Sequence, residues 1–203
     1  MRLKNPLPLA IVTLLVCAAS IAVAQTSPAA IGPAGFSPLA IGAGFSSYNV
    51  GWTNGYMLGG TLWIDYTPNF LPHALRGLGV EAMARDISIE TNHRGQHDMR
   101  EDVASGGLIY SLPHFGRYRP YAKYLIGFGN DDYPTKYIPR YHQTRTVTSV
   151  GGGLDYRVYK GVWARADYEY QFWPDFFKYA PALHKTPGIL SPYGFTLGAM
   201  YHF

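Results

Sequence analysis

Nine charged side chains stand out because each lies in a short stretch of alternating apolar residues: Asp65, Glu81, Arg85, Lys123, Asp155, Arg157, Arg165, Asp167 and Glu169. Five are acidic and four basic, so the chemistry open to them is mutual ion pairing in an enclosed space. A buried charge without a partner is strongly destabilising, and near-balance is what a filled interior requires. The same groups have a second use, exchanging partners so that a narrow pore opens to ions or small solutes.

Other chemistry finds less support in the residues. A lipid-modifying hydrolase needs a serine activated by a histidine, with an acid orienting the ring. His93, His97, His142 and His184 fall in expected outer loops, His73 and His114 in turns, and only His202 on a strand, none with a serine at suitable spacing. His93 and His97 with Asp98 or Glu101 are a conceivable metal set, but in a polar loop solvated side chains are the simpler reading. Gly151-Gly152-Gly153 lacks the following Lys-Ser/Thr of a phosphate loop. No motif calls for a cofactor, and the expectation is a non-enzymatic protein.

The elements that must position these charges are strands. From Tyr193 to Phe203, six apolar or aromatic residues occupy every second place (Tyr193, Phe195, Leu197, Ala199, Tyr201, Phe203), a period of two that a helix would scatter. The template recurs upstream with outward sets beginning at Leu39, Tyr56, Leu78, Ala104, Ala122, Val150 and Val162, which makes eight strands. In the strand from Val162, Trp163, Arg165, Asp167, Glu169 and Gln171 take the opposite face. Connections alternate between compact ones, such as Tyr159-Lys160-Gly161, and longer polar ones over Ile87 to Glu101, Asn130 to Arg145 and Pro174 to Gly188. Alternating segments with short inner turns and long outer loops are the signature of a transmembrane barrel with both termini in the periplasm. A soluble sandwich or lipocalin-like barrel would bury the same apolar face, so alternation alone does not exclude it.

The start of the chain tips the balance. Arg2 and Lys4 precede an apolar run from Leu7 to Ala22, and Ala22-Val23-Ala24 is a small-residue cleavage site, so residues 1–24 read as a signal peptide and 25–38 as a flexible lead-in to a barrel over 39–203. The apolar run is short for a spanning anchor. Cys17, the only cysteine, lies inside it after Val16, which argues against lipidation and leaves no thiol after cleavage. Without residues 1–24, 15 Lys and Arg face 13 Asp and Glu, too small a surplus to argue for nucleic acid. Aromatic residues near strand ends (Tyr66, Tyr110, Tyr156, Phe172, Phe203) suit membrane interfaces. The expected fold is therefore all-β, an eight-stranded antiparallel up-and-down transmembrane β-barrel in the outer membrane of a Gram-negative cell.

On such a barrel the nine charges face the lumen. Counting from the periplasmic end, Glu81, Lys123, Asp155 and Arg165 fall at one height, with Arg85, Asp167 and Glu169 in a layer above. Inward Gly59, Gly107, Gly127, Gly151 and Gly153 would make room for them. His93, Arg94, His97 and Arg100 on one loop and Lys136, Arg140, His142 and Arg145 on the next are placed to meet lipopolysaccharide phosphates, against the plainer reading of solvated loops. Trp173, Phe176, Phe177 and Tyr179 would mark the interface or a protein contact.

Arg119-Pro120-Tyr121-Ala122-Lys123, Gly152-Gly153-Leu154-Asp155-Tyr156-Arg157, Ala164-Arg165-Ala166-Asp167-Tyr168-Glu169-Tyr170 and Tyr201-His202-Phe203 resemble the OmpA/OmpX-type small outer-membrane barrels. The resemblance implies that Tyr201 and Phe203 help form the signal read by the barrel-assembly machinery. The wall-binding domain of longer relatives is absent from the sequence, so their anchoring role is not expected. What remains is a barrel contributing to envelope structure, with a narrow channel gated by interior ion pairs as the alternative.

Overall fold

The computed structural model describes residues 38–50, 56–72, 75–89, 99–135, 138–174 and 189–203. The expected signal peptide and nearly all of the lead-in lie outside them. Eight strands follow one another: β1 (Leu39–Asn49), β2 (Tyr56–Tyr66), β3 (Leu78–Ile89), β4 (Met99–Ser111), β5 (Tyr118–Thr135), β6 (Ile138–Tyr159), β7 (Val162–Phe172) and β8 (Tyr193–His202). Each pairs antiparallel with its sequence neighbours, and β1 pairs with β8, so the sheet closes into a barrel. Closure leaves no unpaired edge inside a lipid layer that offers no hydrogen bonds.

Period-two alternation sets the two faces. Phe45, Leu58, Leu62, Val80, Leu108, Ile126, Phe128, Phe195 and Leu197 are exposed on the outer wall, the surface given to lipid. Their neighbours point inward. Aromatic residues gather at both ends of the apolar band. Tyr118 pairs with Tyr156 (ring centroids 5.0 Å apart) and Tyr201 with Phe203 (5.2 Å) at the turn end, while Tyr170 stacks on Tyr193 at the loop end.

The short turns carry their own chemistry. Lys160–Gly161 joins β6 to β7, and Gly161 has φ 71°, a left-handed conformation that side chains resist. Space forbids a side chain there as well, since a Cβ would sit 3.0 Å from the His202 carbonyl oxygen and closer still to the Tyr201 ring. At the loop end several strands run past the expected boundaries. β4 starts at Met99 rather than Ala104. β5 and β6 continue as a hairpin to Thr135 and from Ile138, where a long loop over 130–145 was expected.

Candidate functional site

The lumen is filled by one connected set of ion pairs. Arg165 on β7 reaches across the barrel to three carboxylates: Asp65 on β2 at 2.7 Å, Glu81 on β3 at 3.0 Å and Asp155 on β6 at 2.8 Å. Lys123 on β5 bonds Glu81 at 3.1 Å and Glu169 at 3.2 Å, and also contacts Asp167. Arg85 on β3 holds Glu169 through two parallel hydrogen bonds of 3.0 and 3.2 Å. The two heights expected from strand position are thus one chain, joined because Lys123 bridges Glu81 below to Glu169 above.

Aromatic faces and hydroxyls complete the packing. The Arg165 guanidinium lies between the Tyr121 and Trp63 rings, at 4.5 and 5.2 Å, and Arg85 sits 4.1 Å over Tyr48. Ser46 bonds Thr61 and Thr196 at 2.5 and 2.7 Å, and Arg85 donates to Thr61. These hydroxyls bind one another rather than a histidine. Glycines serve this packing differently from the expectation. Gly151 lies beside the Lys123 stem, but Gly42 and Gly198 make room for the Trp63 ring, and Gly59, Gly107 and Gly127 face the backbone of the adjacent strand.

Apolar side chains close both ends. Towards the loops, Tyr48, Val50, Met57, Ile87 and Met99 form one buried cluster, and Val103, Val147, Trp173 and Leu190 another. Towards the turns, Trp163 and Met200 are buried beside Arg119, whose guanidinium lies 4.7 Å over the Trp163 ring. Arg119 also donates to Asp155 at 2.9 Å and to His202 Nε2 at 3.1 Å. A guanidinium only donates, so His202 Nε2 accepts and the ring proton sits on Nδ1. In the neighbouring turn, partial desolvation of the His114 ring beside Trp163 holds its pKa below the ordinary value, and the nearby charges of Arg119 and Arg157 act in the same direction.

Eight of the nine sequence-derived lumen residues are buried inside: Asp65, Glu81, Arg85, Lys123, Asp155, Arg165, Asp167 and Glu169. Arg157 requires correction, because it is exposed at the turn-end rim. The register of β6 against β7 shifts between Arg157 and Tyr159, and the buried ring of Arg157's pairing partner, Trp163, occupies the mouth there. Sequence reasoning missed Arg119, Glu101 and Asp131. Arg119 precedes the outward set that begins at Ala122 and lies one residue inside β5, in step with inward Tyr121 and Lys123. Glu101 and Asp131 were assigned to outer loops, yet they are register partners on β4 and β5 and are fully buried. Neither Glu101 carboxylate oxygen has a hydrogen-bond partner. Glu101, weighed as a metal ligand beside His93 and His97, faces the lumen. His93, Arg94, His97, Asp98, Lys136 and the side chains of Arg140 and His142 lie outside the described residues. Arg100 is exposed and paired with Asp86 at 2.7 Å and Asp102 at 3.2 Å. Tyr201 and Phe203 are exposed on the outer wall, with the Phe203 amide donating to the Leu39 carbonyl across the closing seam.

Comparison with known proteins places this geometry. Residues 10–203 match the family described as the outer membrane protein beta-barrel domain. No curated protein sequence matches the chain. Among solved structures, Neisserial surface protein A superposes with a TM-score of 0.60 at 13% identity, covering 83% of this chain and 99% of that one. The N-terminal barrel of OprF from Pseudomonas aeruginosa gives 0.54 at 17% identity, covering 83% and 100%. Ail, the attachment invasion locus protein of Yersinia pestis, gives 0.54 at 16% identity, covering 82% and 99%. At these identities the likeness is one of fold.

Proposed function

The chain belongs to the outer membrane protein β-barrel family, and from that membership we propose that it is a non-enzymatic integral barrel contributing to envelope structure, its surface loops contacting lipopolysaccharide or partners. Location in the outer membrane follows from the family. The observation that carries the structural role is the filled lumen. Four cations and five carboxylates are bonded to one another, between apolar clusters at either end. An eight-stranded barrel has room for side chains and little else, and here those side chains hold each other. The Arg100 pairs with Asp86 and Asp102 sit on the outer surface near the loops, where lipopolysaccharide phosphates would compete for the guanidinium. The aromatic Tyr201 and Phe203 on β8 are proposed as the contact with the assembly machinery.

One observation favours a second reading, the narrow channel. Glu101 is a buried carboxylate without a hydrogen bond, close enough to feel the charge of Arg85. It is a ready alternative partner if Arg85 leaves Glu169. Single-channel recording of the purified barrel in planar bilayers separates the readings. The structural role predicts a silent membrane at all voltages. Discrete conductance steps that Glu101→Gln makes shorter or rarer would replace it with the channel.

A further inference from the structure

Among the described residues, the turn-end rim of the barrel carries exposed cations that have no carboxylate beside them. The β2–β3 turn presents Arg76, the β4–β5 turn Arg117, and the β6–β7 turn Lys160 with Arg157 beside it, all exposed. Over residues 66–80, 111–119 and 156–163, which hold these turns, there is no Asp or Glu. Arg76, Arg117 and Lys160 make no ion pair among the described residues. Near the loops, by contrast, Arg100 is neutralised by Asp86 and Asp102. Like charges held around a narrow ring repel one another, and an anion bound at Arg76, Arg117 and Lys160 would relieve that repulsion.

Each turn also carries an exposed apolar group next to its cation. Phe70 (81% exposed) and Leu75 lie close in sequence to Arg76, Phe115 (66%) precedes Arg117, and Tyr159 (70%) precedes Lys160. Exposed rings and basic heads close in sequence within each turn, next to an apolar wall, suit a lipid interface, where rings enter the headgroup layer and cations meet phosphates. A hydrophilic wall polymer would match the cations but leave the rings in water.

We propose that this rim binds anionic phospholipids, through their phosphodiester headgroups, in the periplasmic leaflet of the outer membrane. Each cation near such a headgroup is worth roughly fivefold in lipid binding. Three unpaired cations acting together therefore give a preference for anionic over zwitterionic lipid on the order of tenfold or more once salt screening is allowed for. The inference concerns the turns and does not depend on whether the lumen conducts.

The test is native mass spectrometry of the intact barrel, extracted from outer membranes and equilibrated with equal phosphatidylglycerol and phosphatidylethanolamine. Wild type is expected to retain phosphatidylglycerol preferentially. The triple variant Arg76→Gln/Arg117→Gln/Lys160→Gln, shown to be folded by its heat-modifiable mobility, is expected to fall to within twofold of no preference, while Arg100→Gln keeps the wild-type value. If the triple variant does not fold, the three single variants are expected each to lose part of the preference. No preference in wild type, a preference untouched by these substitutions, or an equal loss in Arg100→Gln overturns the proposal. Sedimentation with purified cell-wall sacculi, without lipid selectivity, would assign the rim to the wall instead.

Discussion

Replacing Lys123 with methionine tests the lumen network where it is most connected. The ammonium touches Glu81, Asp167 and Glu169 and is buried. Methionine keeps much of the stem and removes the charge, so the five carboxylates of the ion-pair network would face three cations instead of four. Glu81 and Glu169 retain Arg165 and Arg85, but Asp167 has no other ion pair among the described residues. Stranding one partner of a buried pair costs about 3–5 kcal/mol. That penalty should appear as a lower urea midpoint with unchanged slope when the barrel is unfolded from lipid vesicles and followed by electrophoretic mobility. Lys160→Met, at an exposed turn, is the control and should change stability by less than about 0.5 kcal/mol. Adding Asp167→Asn to Lys123→Met should return about 1–3 kcal/mol, because the stranded charge is gone. A Lys123→Met loss below about 1 kcal/mol, or no recovery in the double variant, would refute the ion-pair account.

Three further outcomes follow from the same geometry. Arg119→Gln should cost about 1–2 kcal/mol, since Asp155 keeps Arg165, whereas Arg157→Gln at the rim should cost under about 0.5 kcal/mol; the same urea titration reads both, and the reverse order would put Arg157 back in the lumen. Gly198→Ala should cost about 1–3 kcal/mol or abolish the heat-shifted band, because its Cβ would lie 2.3 Å from the Ala43 carbonyl oxygen. The His114 pKa lies below its unfolded value of about 6.5, so the folded chain takes up this proton less readily than the unfolded one. Its contribution to stability is therefore present at neutral pH and lost as pH falls through the unfolded value. Ring-proton NMR should place its midpoint below 6.5, and a midpoint above that value would mean the turn does not shield the ring.

Where the sequence was legible, one face of a strand met lipid and the other met the lumen. Phe195, Leu197 and Tyr201 on β8 stand against Thr196, Met200 and His202, and that contrast gives both the strand and its orientation. The contrast vanishes outside the apolar band. In the first residues of β4, exposed Arg100 and half-buried Asp102 alternate with Met99, Glu101 and Val103, so polar residues occupy both faces and the strand reads as loop. Glu101 and Asp131 were missed for that reason. Arg157 failed differently: it keeps the parity of Asp155 and pairs with Trp163, but so close to the end of β6 that this face opens onto the turn-end mouth instead of the lumen. The pairing partners inside the lumen were also illegible, because Arg165 and Asp65 are a hundred positions apart and only the closed barrel brings them together.

The seam between β1 and β8 carries a consequence for how the molecule comes into being. Seven of the eight strand pairs join sequence neighbours and can form as hairpins. The eighth joins Ala40 to His202 through Asn49 to Tyr193, pinned inside by the Ser46–Thr196 hydrogen bond across 150 positions. Contacts between distant positions pay a large loop-closure entropy before they return any energy, and they slow folding. Lys123 and Arg165 cannot gather all their partners until the circle shuts. Insertion is thus set up as a late, cooperative step, in which a curved open sheet becomes a cylinder and its interior charges lose water at the same moment.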